Sequence, residues 1–233
     1  MPTAPYLDGH LSVWRGNDVL SFIDGLSTNH VLDLKEGQFR LTTFTTAQAK
    51  VIDRVGLFHM GAFVAVFSHG PYWESLFAHI SPRILGQDVT ISNATENNNF
   101  FIQFGVESDD VGTFSSSEGT TVAHCMPHIN YIVASKNSEV QVDSSISDFH
   151  EWRVDHVIPW QGFEISEKHH AFACGLADDV HPAKGCYIGQ ELLTRMRTRG
   201  KMGRELICVD TNQASQKDIT TRGLSKSLAI VRL

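Results

Sequence analysis

The stretch from Phe39 to Ser68 constrains the fold more than any other. It holds three runs of strand-forming residues, Phe39–Thr45, Ala49–Met60 and Ala62–Ser68, with Gly61 between the last two. Alternating side chains over such runs, separated by short breaks, predict an antiparallel meander. Ahead of it, Leu11–Trp14 reads as a short strand. Val19, Leu20, Phe22, Ile23 and Leu26 then recur at helical spacing, with Asn17 as the expected N-cap. Behind it, Tyr72–Leu85 reads as a helix and Asp88–Ser92 as a strand. The pattern recurs loosely, with strands at Phe100–Val106, Thr121–Cys125 and Tyr131–Ala134 and a helix at Ser144–His156. Asp109–Ser117 is ambiguous, and Asn93–Asn99, Ser115–Thr120 and Lys136–Ser145 are polar breaks. Two last strands are expected at Glu205–Val209 and Ser227–Arg232. Strands and helices in alternating blocks predict an α+β fold.

The length of 233 residues allows one large domain or two to three small ones, and a 42% hydrophobic composition supports a sizeable core. A net charge of −7 argues against a general electrostatic grip on nucleic acid or on an anionic membrane. No apolar run approaches the ~20 residues that span a bilayer. The opening MPTAPYLDGH lacks a leader pattern, so a cytoplasmic location is expected. Cys125, Cys174, Cys186 and Cys208 are widely spaced with no CxxC, so neither a disulfide framework nor a cluster held by this chain alone is expected.

The stretch KGCYIGQELLTRMRTRGKMGRE, Lys184 to Glu205, carries the most chemistry. A helix is expected from Gly189, with Leu192, Leu193 and Met196 as its buried stripe and Glu191 at its positive end. Cys186 lies just before that end and two residues from Lys184, and both neighbours favour thiolate. One reading is a reactive or ligand-contacting thiol; the other is a small buried hydrophobe. Arg195, Arg197, Arg199, Lys201 and Arg204 form either a solvated face or a site for a phosphate or polycarboxylate tail. His124 and His128 flank Pro127, so they need not share a face, and no metal site is expected. Lys168–His170 reads as a polar loop. Asp178 and Asp179 with His181 read as an acid/base group or a solvated turn ahead of Pro182. Asp53 closes an apolar run, where a carboxylate either acts on an amine or heterocycle or makes a structural hydrogen bond.

The string from Lys184 to Glu191, followed by Arg195 and by Gly200 to Arg204, resembles the signature of the YgfZ branch of the YgfZ/GcvT folate-binding family. VWRGNDVLSFIDGLSTNHV, TTFTTAQAKVIDRVGLF, WRVDHVIPWQGFEI and DITTRGLSKSLAIVRL resemble further stretches of that family, so the resemblance runs from about Leu7 to Leu233. It implies three small subdomains, at 1–95, 96–203 and 204–233, around a central folate channel, the last one short and β-barrel-like. It implies tetrahydrofolate or a one-carbon derivative as cofactor, with Asn29, Lys184, Tyr187, Gln190, Glu191, Arg195 and Arg204 as its contacts. It further implies a role in assembling or repairing iron–sulfur enzymes, including tRNA-modifying ones, with Cys186 as the key thiol. The implied partners are folate and iron–sulfur client proteins, with no direct nucleic acid and no membrane.

The chain departs from the family where glycine becomes Ala49 and Val157, and at Ala171-Phe172-Ala173. The rival glycine-cleavage aminomethyltransferase branch has paired aspartates where this chain reads Asp53-Arg54. Folate-dependent one-carbon transfer using Asp53 is the alternative that this rival implies.

Overall fold

The structure is a computed structural model that describes residues 1–200, 202–212 and 215–233; Lys201 of the basic block lies outside them. In chain order the elements are β1 (Thr3–Pro5), β2 (Gly9–Arg15), α1 (Val19–Leu26), β3 (Phe39–Thr45), β4 (Val51–His59), β5 (Val64–His69) and α2 (Gly70–Ile80). There follow β6 (Thr90–Asn93), β7 (Asn98–Val106), β8 (Phe114–Ser117), β9 (Thr120–Met126), β10 (His128–Ser135), α3 (Ile146–Asp155) and α4 (Gln190–Arg199). The chain closes with β11 (Arg204–Asp210), β12 (Ile219–Arg222) and β13 (Lys226–Arg232). The fold is mixed α and β with sheet predominating. No described helix is long and apolar enough to cross a membrane.

The predicted meander forms as β3-β4-β5, extended by β2 and β6 into a five-stranded sheet of order β3-β4-β5-β2-β6. Its strands β3, β4 and β5 are buried along almost every residue rather than alternately. Both faces are covered, as continuous burial requires. On one face Ile23, Phe22, Leu76 and Ile80 of α1 and α2 pack on Phe44, Val55, Leu57 and Val66. On the other, Phe39, Phe58 and Phe67 meet Ile102, Phe104, Ile129 and Tyr131 of a second five-stranded sheet, β1-β7-β10-β9-β8. The third sheet, β11-β13-β12, buries Leu206, Leu228 and Ile230 against Val154 and Ala173. Its described strands run in an open antiparallel order rather than the expected barrel.

Several boundaries move for identifiable reasons. Asn17 does not cap α1: its backbone and side-chain nitrogens both donate to Asp88 Oδ2 at 2.9 Å, and Asp18 takes the N-cap position. The helix expected to reach Leu85 stops at Ile80, because Pro82 turns the chain into a single 3₁₀ turn at Ser81–Arg83. Ser115–Thr120 is a hairpin rather than a plain break. Glu118 and Gly119, both with positive φ, turn β8 back onto β9. β1 pairs with β7, so the first residues of the expected first subdomain belong to the second sheet.

Two turns carry left-handed residues that are not glycine. Val157 follows the C-terminus of α3 at φ +54, and Ala49 closes the β3–β4 turn at φ +58. Both are places where glycine is the residue best suited.

The packing sets a pH dependence. Burial pushes His10, stacked on Trp73 at 4.1 Å, down to about 4, and it does the same to His79 and His150. A folded-state value below the unfolded one means that unfolding takes up protons. The stability is therefore full above the ordinary histidine value and is lost as pH falls from about 6.5 towards 4. Between pH 7 and pH 5, His10 alone is expected to cost about 2 kcal/mol. Urea midpoints at the two pH values check this. An unchanged midpoint between them refutes it.

Candidate functional site

A cavity of about 680 Å³ opens between the two larger sheets and the segment that follows α3. Arg54 of β4 reaches its wall and grips Asp179 bidentately, Nε donating to Oδ2 at 2.6 Å and Nη2 to Oδ1 at 3.0 Å. Thr43 also donates to Oδ2, and Arg54 Nη1 lies 3.2 Å from Met126 Sδ. Burial works against the guanidinium's charge, but Asp179 more than offsets it, and Arg54 stays firmly protonated. The cavity wall thus carries a locked, neutralised ion pair, with Asn29, Arg40, His128 and His156 around it. Cys125 lies in the same wall, donating to Ile129 O, with its thiol pushed by burial up to about 12.

The expected site residues do not gather in this cavity. Of the residues that the resemblance implies, Asn29 alone lines it, with its amide spent on Leu41 O and on the His30 nitrogen. Asp53, next to Arg54 on β4, is fully buried away from the cavity lining. Its two oxygens face His69, one accepting from the backbone nitrogen at 3.1 Å and the other 2.8 Å from Nδ1. Tyr6 and Trp160 stand edge-on to that imidazole. Lys184 does not partner the thiol. Its ammonium is buried and donates to the carbonyls of Asp24, Ser27 and Asn29 at 2.7, 2.8 and 2.6 Å, capping the carboxyl end of α1. Tyr187 is buried below it, its ring centre 5.1 Å from Nζ.

Cys186 is exposed on the loop that leads into α4. Gly189 fixes that loop. At φ +87 it lies so close to the β3–β4 turn that a Cβ would come within 2.8 Å of Thr46 O, while Thr45 donates to Ile188 O at 2.7 Å. Gln190 is half-buried, and Glu191 and Arg195 are exposed on α4. The basic block disperses as its spacing implies. Arg197 turns inward to donate to Val180 O over the Phe172 ring, Arg199 faces solvent, and Arg204 lines a different concavity beside the third sheet. His124 and His128 make separate bonds, to Asn130 and Val106 O.

Asp179, which the sequence left between an acid/base group and a solvated turn, is a cavity residue tied to Arg54. It is 4% exposed rather than part of a solvated turn. The clue available was Arg54 itself, a cation inside an apolar strand, which demands a buried carboxylate somewhere in the fold.

The thiols differ accordingly. Burial pushes Cys174, like Cys125, up to about 12, so at pH 8 each holds about one part in ten thousand as thiolate. Iodoacetamide at pH 8 is expected to label Cys186 first and to reach Cys125 and Cys174 only on unfolding. Mass spectrometry of the labelled peptides over time decides it, and early labelling of either buried thiol counts against the packing described.

No family model matches the chain, and no curated protein matches it. Among solved structures it superimposes on the glycine cleavage system aminomethyltransferase T from Bartonella henselae with a TM-score of 0.80. The match covers 99% of this chain and 78% of that one at 11% identity. At that identity the likeness speaks to architecture alone: the chain has the fold of a glycine cleavage aminomethyltransferase.

Proposed function

We propose that the chain binds tetrahydrofolate or a one-carbon derivative in the 680 Å³ cavity and serves as an accessory protein to iron–sulfur enzymes, not as an aminomethyltransferase. The observation that carries this reading is the Arg54–Asp179 pair. Transferring a one-carbon unit from an amine requires a carboxylate free to steer and exchange a proton at the reacting nitrogens. Here Asp179, the buried carboxylate of the cavity, is neutralised by a guanidinium, Asp53 is enclosed with His69, and the other lining carboxylate, Asp178, is exposed to solvent rather than held at a buried reacting centre. The cavity keeps the room for a pterin-sized ligand and hydrogen-bonding groups at its wall. On the resemblance of the Lys184–Glu191 string, the exposed Cys186 is the thiol that acts for the client enzymes, including those that modify tRNA.

The test has two parts. Tetrahydrofolate titrated into the protein, followed by tryptophan fluorescence, is expected to saturate, and Met126→Trp, which fills the cavity, is expected to weaken it at least tenfold. An aminomethyl donor with tetrahydrofolate is expected to release no ammonia. Absence of saturable binding, or steady turnover, sinks the reading. In a deletion host, Cys186→Ala is expected to lower iron–sulfur enzyme activity while protein abundance and folate affinity hold.

A further inference from the structure

A second concavity, of about 400 Å³, shares no lining residue with the first. One side is the 162–169 loop. The other is the third sheet, through the first residue of β11, the start of β12 and Ile230 of β13. Three separate segments bring cationic side chains to it: Lys168 from the loop, Arg204 from β11 and Lys217 from the approach to β12, with the His169 imidazole beside Lys168. Asp218 is the one acidic residue among its described lining. Among the described residues, Lys168, Arg204 and Lys217 make no ion pair. In a chain of net charge −7, this convergence of uncompensated positive charge is a local exception. Like charges brought together around a hollow repel one another, and an anion in the hollow relieves that repulsion.

The loop that delivers them is fixed. Lys50 Nζ donates to Lys168 O at 2.7 Å, Val51 N donates to His169 O at 3.1 Å, and the His170 ring lies 3.0 Å from Met202 O. Burial, and then the charges of Arg204, Lys50, His170 and Lys168, hold the His169 imidazole below its ordinary value. That is the direction a field of unpaired cations produces. Phe163, Ile219 and Ile230 supply an apolar wall beside the charges.

We propose that this concavity binds the phosphate group of a small organic phosphate monoester. Cations converging from three segments suit a compact dianion with acceptor oxygens on every side better than a flat monovalent carboxylate. The volume exceeds what a bare phosphate fills, and the apolar wall gives the organic group a place to lie. The proposal does not depend on what occupies the larger cavity.

The experiment is calorimetric titration of phenyl phosphate, inorganic phosphate and citrate into the full chain at low salt. Wild type is compared with Lys168→Gln/Lys217→Gln, whose side chains are exposed and make no ion pair among the described residues, so that the fold is expected to hold. Phenyl phosphate is expected to saturate one site and to bind more tightly than inorganic phosphate, with its affinity falling as salt rises. The double variant is expected to bind at least tenfold more weakly, with its melting temperature and its tetrahydrofolate affinity unchanged. The proposal is overturned by no saturable binding of either phosphate, or by equal binding to wild type and variant. Citrate binding as tightly as phenyl phosphate also overturns it, because the surface is then a general polyanion patch.

Discussion

Glu164→Gln is expected to destabilise the fold by about 3–5 kcal/mol, the cost of leaving one half of a buried ion pair without its partner. Glu164 and Arg153 are both fully buried. Arg153 Nη1 donates to Glu164 Oε2 at 2.7 Å, and the backbone nitrogen of Trp160 donates to the same oxygen at 3.1 Å. The other oxygen accepts from the hydroxyls of Thr220 and Thr221, each at 2.6 Å. Those threonines belong to β12, and Arg153 belongs to α3, so one carboxylate ties the third sheet to the body of the molecule. Arg153 is further held by Ile158 O, Thr221 and His150. Glutamine keeps the shape but replaces an acceptor oxygen with an amide donor, and the guanidinium then has no counter-charge. Urea unfolding gives the loss directly, and hydrogen exchange is expected to rise first in β12 and β13. The double change Arg153→Met/Glu164→Leu is expected to cost less than the sum of the two singles, since it removes both charges together. A single-variant loss below about 1 kcal/mol, the level of an exposed pair, refutes the account.

Lys184→Met is expected to cost about 2–4 kcal/mol, because charge-assisted hydrogen bonds contribute roughly 1.5–3 kcal/mol each and partial relaxation recovers some of the loss. Methionine fills the same channel but leaves the carbonyls of Asp24, Ser27 and Asn29 buried without a donor. Those carbonyls sit at the negative end of α1 and just beyond it, where a cation is favoured. The measurement separates two roles for the lysine. A tie within the protein gives a large loss of stability and leaves the exposed Cys186 as reactive towards iodoacetamide as before. A thiolate partner or ligand contact gives slower alkylation or weaker folate binding with little change in stability. The distances point to the first outcome.

These two residues show how far the sequence carried. The meander, the helix at Ser144–His156, the helix after Gly189 and both closing strands were legible, because local periodicity and caps decide them. Ser145 even makes the reciprocal capping box with Asp148. β1 and β12, of three and four residues, were not legible, since strands that short owe their state to their neighbours. The chemistry was harder to place than the elements. Neighbouring residues on one strand point to opposite faces, so Asp53 and Arg54 end in different surroundings although they are adjacent in sequence. Lys184 and Cys186 are two residues apart and divide between the interior and the surface. Asp179 meets Arg54 across 125 positions, a pairing that no spacing announces.

Ala49 and Val157 leave one more consequence. Each holds a left-handed corner of the kind that favours glycine, and such a corner in an L-residue costs on the order of 1 kcal/mol. A bend of this kind does not demand one spelling, and across the whole chain a TM-score of 0.80 stands beside 11% identity. A protein of this kind is met by its outline long before it is met by its text.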